Sequence, residues 1–95
     1  MGYRRVKIGK RILKGFCIPL CKKKLVGLIG KKGYIMCGYL DLKTADKFRE
    51  VAVKIKGVDN IDSLLKAKVF ALSREAKKLG IYKNQSIRDV IELIA

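Results

Sequence analysis

The spacing of apolar residues changes once along this chain, at Asp41, and that change constrains the fold more than any other feature. Before it, apolar residues alternate with cations or fall in short runs bounded by turn residues, as strands require. After it, they recur mainly at three- and four-residue intervals, as helices require. Strands followed largely by helices give an α+β domain. At 95 residues the chain is one domain's length, and roughly 60–65% of its surface can be buried on folding. Hydrophobic residues make up 49% of it, enough for a real core. No linker, internal repeat or low-complexity segment interrupts it, so a single domain over residues 1–95 is expected.

In the first forty residues Val6 and Ile8 alternate with Arg5 and Lys7, a strand near 4–8. A second extended segment near 11–18 places Ile12, Phe16 and Ile18 on one side, with Lys14 breaking the row and Pro19 suiting a strand end. Lys22-Lys23-Lys24 reads as a turn before a strand near 24–29. Gly30-Lys31-Lys32-Gly33 reads as another, with glycines available for positive φ. The segment near 33–38, apolar on both faces, fits a central strand. Short loops between these four favour an antiparallel meander.

Beyond Asp41, a helix near 42–49 carries Leu42, Ala45 and Phe48 on one face, capped by Asp41 or Thr44. Val51, Val53 and Ile55 alternate with Ala52, Lys54 and Lys56, a strand near 51–57. Ile61, Leu64 and Leu65 face inward from a helix near 61–66. Val69, Leu72, Ala76 and Leu79 extend the helical spacing over 68–79, where Gly80 supplies the stop. Ser86 and Asp89 resemble a capping box before an apolar stripe of Ile87, Val90, Ile91 and Ile94 over 86–94. The expected architecture is two layers, a mostly antiparallel or mixed sheet packed by helices.

Charge narrows the function. The chain has 23 Lys+Arg against 8 Asp+Glu, a net +15 and a pI near 10.1. Arg4, Arg5, Lys7, Lys10, Arg11, Lys14, Lys22, Lys23, Lys24, Lys31 and Lys32 precede the first acid, Asp41, so residues 1–40 carry +11. The remaining residues carry all eight acids and a net +4. Such an imbalance attracts a polyanion and strains an isolated fold by self-repulsion. Heat adaptation would explain many lysines, and scarce Asn, Gln and Trp fit a thermophile. A thermophile's lysines, however, come with glutamates in paired networks, and only Glu50, Glu75 and Glu92 are present.

Apolar runs fall well short of the ~20 residues of a membrane span, and cations interrupt any signal-peptide core. The expectation is a cytoplasmic protein away from membranes.

The stretch Gly33-Tyr34-Ile35-Met36-Cys37-Gly38, with Asp41 after two further residues, resembles the YunC-like family of uncharacterised proteins. So do Gly57-Val58 leading into Ile61-Asp62 and Leu64-Leu65, and the segment from Ala76 through Leu79-Gly80-Ile81. The resemblance spans residues 33–95 in order. It implies a small α/β fold of mixed sheet and helices and no established activity, cofactor or substrate. The cations of residues 1–32 lie outside those motifs, so a polyanion partner is not part of what the resemblance implies.

The chain has no His, the commonest general base and metal ligand. Cys37, beside Gly38 and shortly before Asp41, could act as a nucleophile if helix and lysines lowered its pKa. Its apolar neighbours Ile35 and Met36 favour a quiet core thiol instead. Cys17 and Cys21 are separated by three residues rather than the two of a zinc knuckle. With Cys37 they make three thiols lacking a fourth ligand unless Asp41 or a second subunit supplies it, so no metal is expected. The segment Gly27-Leu28-Ile29-Gly30-Lys31-Lys32-Gly33 lacks the spacing of a phosphate-binding loop and opens no helix. Tyr3, Tyr34, Tyr39 and Phe16 could offer stacking surfaces among the cations.

The expectation is a non-enzymatic RNA-binding protein without cofactor, contacting structured RNA such as ribosomal RNA through the eleven N-terminal cations. The alternatives are a small enzyme or ligand-binding domain using Cys37, Gly38 and Asp41, and a structural homo-oligomer module.

Overall fold

The computed structural model describes residues 3–95. Six strands form one sheet: β1 (Tyr3–Ile8), β2 (Arg11–Pro19), β3 (Lys24–Ile29), β4 (Tyr34–Met36), β5 (Ala52–Lys54) and β6 (Ala71–Leu72). Four helices accompany it: α1 (Leu42–Lys47), α2 (Ile61–Leu65), α3 (Arg74–Lys78) and α4 (Ile87–Ile94). Strand order in space is strand order in sequence, β1 through β6. All neighbours are antiparallel except β4 and β5, which run parallel. The mixed α+β architecture and the four-stranded antiparallel meander are those the spacing predicts.

The parallel pair has a topological cause. After β4 the chain must return before it can run the same way again, and α1 makes that return. Asp41 caps α1, accepting from the Lys43 amide at 3.1 Å and the Thr44 hydroxyl at 2.9 Å. Leu40, Ala45 and Ala52 are buried between α1 and the sheet, flanked by Tyr34, Met36 and Leu42. Ala52 is therefore an inward residue, although its strand pattern predicts the opposite. On the other face α2 and α4 meet the main core, where Leu13, Val26, Leu28, Ile35 and Val53 pack with Ile61, Leu64 and the α4 stripe. Ile87, Val90, Ile91 and Ile94 are fully buried. Each contributes roughly 1.5–3 kcal/mol by leaving water.

Three local expectations are overturned. The helix over 68–79 is instead a short strand and a short helix. The amide of Phe70 donates to the Lys54 carbonyl at 2.9 Å and that of Ser73 to the Ala52 carbonyl at 2.9 Å, so β5 captures this backbone. Ser73 then caps α3 by accepting from the Ala76 amide at 3.2 Å.

In β2, Ile12, Phe16 and Ile18 share one side as the spacing predicts; it is the outer side, Ile12 being 60% exposed, and Leu13 faces the core. The core side can be small at Gly15 because Val6, Ile61 and Leu28 fill the space: a Cβ there would lie 2.6 Å from Val6 Cγ2.

Gly30 does not take positive φ; a Cβ at that position would collide with the Ile94 carbonyl, so close approach requires the glycine. Finally, Ser86 accepts from the Asp89 amide at 3.4 Å, which is half of a capping box. The reciprocal box is at Asn60 and Ser63, where α2 begins.

Candidate functional site

Nine of the eleven N-terminal cations fall into three separate groups. Pairing of Arg5 with Lys14, Lys7 with Ile12 and Tyr3 with Phe16 puts these residues on one face, the face away from α2 and α4. No helix among the described residues covers the β1–β3 part of that face. Tyr3 and Ile12 are exposed there, and Ile29 is exposed on β3. Phe16 is half-buried because its ring lies across Gly27 on the next strand. Lys14 Nζ sits 5.3 Å from the centroid of the Tyr3 ring, so cation and aromatic are already associated.

A second group, Arg11, Lys31 and Lys32, gathers near the end of α4. Arg11 Nε donates to Glu92 Oε2 at 3.4 Å, and the Lys32 amide donates to the Ile94 carbonyl at 2.8 Å. Cations at a helix C-terminus are favourable on electrostatic grounds alone. With its amide spent on a carbonyl, Lys32 does not contribute that N–H to a phosphate cradle. Arg4 and Lys10 are exposed, in β1 and in the two-residue turn between β1 and β2.

The third group borders a cleft of about 770 Å3. Residues 22–24 form one wall, residues 37–39 after β4 a second, and residues 56–59 after β5 a third. The cleft thus lies beyond the carboxyl ends of the two parallel strands. Cys37 is part of its lining yet only 5% exposed. Its Sγ accepts from the Val26 amide at 3.4 Å and donates to the Lys24 carbonyl at 3.8 Å, which ties the thiol into the sheet. Gly38 beside it is exposed, with open space where a Cβ would stand.

Asp41 does not join Cys37 and Gly38 in the cleft lining. Its carboxylate caps α1, and the Thr44 hydroxyl bond, reinforced by the Lys43 amide, holds it below the usual carboxylate pKa. A carboxylate whose pKa is lowered by its capping bonds is a weaker proton acceptor. Cys17 and Cys21 are free and exposed, and Cys17 Sγ donates to the Asp59 carbonyl at 3.5 Å. Among the described residues no group of three or more His, Cys, Asp or Glu side chains could hold a metal ion. None of their helices is long and apolar enough to cross a membrane.

Sequence reasoning missed Tyr39, Lys56 and Asp59 as cleft residues. A signal was present: strand patterns near 33–38 and 51–57 enclose a helical one, a β-α-β order that implies parallel pairing and a shared carboxyl end.

Comparison with known proteins agrees with the fold. A family model described as a domain of unknown function, DUF1805, matches residues 36–94, including the second and third cleft walls. The uncharacterised protein YunC of Bacillus subtilis (strain 168) is 35% identical over 78 residues, covering 78% of this chain and 77% of that protein. A crystal structure of a protein of unknown function from Thermoplasma acidophilum superposes with a TM-score of 0.93 at 36% identity. It covers 98% of this chain and 91% of its own, so the strands β1–β4 are part of the shared fold. The chain therefore belongs to the YunC-like family built on this domain of unknown function.

Proposed function

We propose that this protein is a non-enzymatic RNA-binding protein that holds the phosphate backbone on the outer face of β1–β3. The observation that carries the reading is the composition of that face: Arg5, Lys7 and Lys14 stand among exposed Tyr3 and Ile12, with no helix of the described residues above them. Cations there neutralise phosphate, and aromatic and aliphatic side chains receive splayed bases. The meander contains no acid, and Lys22, Lys23 and Lys24 extend its field beyond one end of the sheet. The same face could be covered by a second copy. A two-fold contact of that kind would oppose these three cations with their own duplicates, at a cost that a polyanion removes.

Binding to a structured RNA across a salt series tests the reading. Each phosphate contact adds roughly 0.7–0.9 to the log–log slope, so the triple Gln variant of Arg5, Lys7 and Lys14 should lower it by about 2–3. A Gln triple at Lys77, Lys78 and Lys83 should change it little. Co-sedimentation with ribosomes at low salt asks whether ribosomal RNA is such a target. A flat salt dependence, or equal loss from both triples, overturns the assignment of this face.

A further inference from the structure

The chain leaves β4 and β5 in opposite directions. From β4 it passes to α1, which packs on the sheet face of Met36 and Ala52; from β5 it passes to α2, which packs on the face of Ile35 and Val53. Two adjacent parallel strands whose connections diverge in this way open a crevice at their carboxyl ends, and such crevices are where α/β sheets bind ligands. The 770 Å3 cleft lies there, within the roughly 300–1,000 Å3 range of small-molecule sites.

Its chemistry is selective. Lys22, Lys23, Lys24 and Lys56 border it, against one acid, Asp59. The Asp59 carboxylate is engaged with α2, accepting from Asn60 Nδ2 at 3.2 Å and from the Ser63 hydroxyl at 3.4 Å. The amides of Gly38 and Tyr39 have no protein acceptor among the described residues. Tyr39, 53% exposed, supplies an aromatic surface in the same cleft. Ammonium groups and free amides suit a phosphate group, and an exposed ring suits a base.

We infer that the cleft at the carboxyl ends of β4 and β5 binds a nucleoside phosphate, its phosphates on Lys22, Lys23, Lys24 and Lys56 and its base against Tyr39. The inference does not depend on RNA binding by the outer face, since Arg5, Lys7 and Lys14, which carry that reading, do not line the cleft.

Calorimetric titration of the intact protein with ADP, AMP, adenosine and inorganic pyrophosphate tests it. ADP should bind saturably and more tightly than AMP, and adenosine should give no measurable binding. Lys56→Gln should weaken ADP about tenfold, the equivalent of one charge-assisted contact. Tyr39→Ala should weaken ADP by about tenfold while leaving pyrophosphate unchanged. Both positions are exposed, and a single cooperative thermal transition in each variant serves as the folding control, with a small downward shift for Lys56→Gln, whose Nζ lies 4.0 Å from the Phe70 ring centroid. The Arg5, Lys7 and Lys14 triple variant should bind ADP as the wild type does, which separates this site from the RNA face. Absence of saturable ADP binding, or binding indifferent to both substitutions, overturns the site. Equal affinity for ADP and pyrophosphate with Tyr39→Ala silent would show a bare phosphate site and overturn the nucleoside assignment.

Discussion

From β1 to β3 the sheet is covered on one face; at β4 and β5 it is covered on both, by α1 on one side and by the main helical core on the other. The two regions treat charge accordingly. Where the second layer is missing, cations alternate along the strands and remain in water. Where it is present, the strand interiors are Ile35, Ala52 and Val53, and the cations retreat to the strand ends, as at Lys56. The concentration of charge in the first forty residues is thus a consequence of architecture as well as a clue to a partner. A bare sheet face tolerates lysine and arginine, and a polyanion can reach them there.

Replacing one isoleucine in each region gives the largest expected contrast. Ile35→Ala, at a fully buried site packed by the main core, should cost about 2–5 kcal/mol. Ile12→Ala, on the bare face, should fall within about 0.5 kcal/mol of wild type. Denaturant midpoints measure both, and similar losses would show that the outer face is covered in solution.

A smaller effect is expected where the doubly covered region meets β6. The Ser73 hydroxyl donates to the Glu50 carbonyl at 2.7 Å and accepts from the Ala52 amide at 3.0 Å. Ser73→Ala strands the fully buried Ala52 amide, costing about 1–3 kcal/mol. Unchanged stability would mean another group reaches that amide.

The least effect concerns pH. Tyr34 lies on the face that α1 covers, and its hydroxyl donates to Glu50 Oε1 at 2.8 Å. Burial first, then the bond to Glu50 and its negative charge, push the phenol up from 10.0 to about 12. Since the folded value exceeds the unfolded one, its contribution is complete below pH 10 and is lost between 10 and about 12. Ultraviolet titration should find a tyrosine ionising near that upper value, absent in Tyr34→Phe, and the alkaline loss of stability should shrink with it.

The parts of this fold legible in the sequence are those with a sustained period. The meander turns and the α4 stripe stand where spacing puts them, because four or more residues vote for one face. A two-residue strand has no period, so Val69, Leu72, Ala76 and Leu79 read as a continuous helix although only the last part is one. Which side of β2 faces the core is not legible for a related reason. Three large residues, Ile12, Phe16 and Ile18, outweigh Leu13 by pattern, yet Gly15 is buried by side chains belonging to other elements. The cleft is half visible: Lys22, Lys23, Lys24, Cys37 and Gly38 each stand out in the sequence, but separately. Their meeting with Tyr39 and Lys56 depends on parallel strand ends, a relation between elements that composition does not record.

Strand order identical to chain order also bears on how the sheet is assembled. Each strand can add to the one made just before it, so no strand must wait for a distant partner and loop-closure costs stay small. The core follows another timetable. Leu13, Val26, Leu28 and Ile35 are laid out early in the chain, but Ile87, Val90, Ile91 and Ile94, which pack in the same cluster, come last in chain order among the described elements. A chain emerging from its N-terminus therefore displays an apolar sheet face, and with it the bulk of its positive charge, before α4 exists to cover that face.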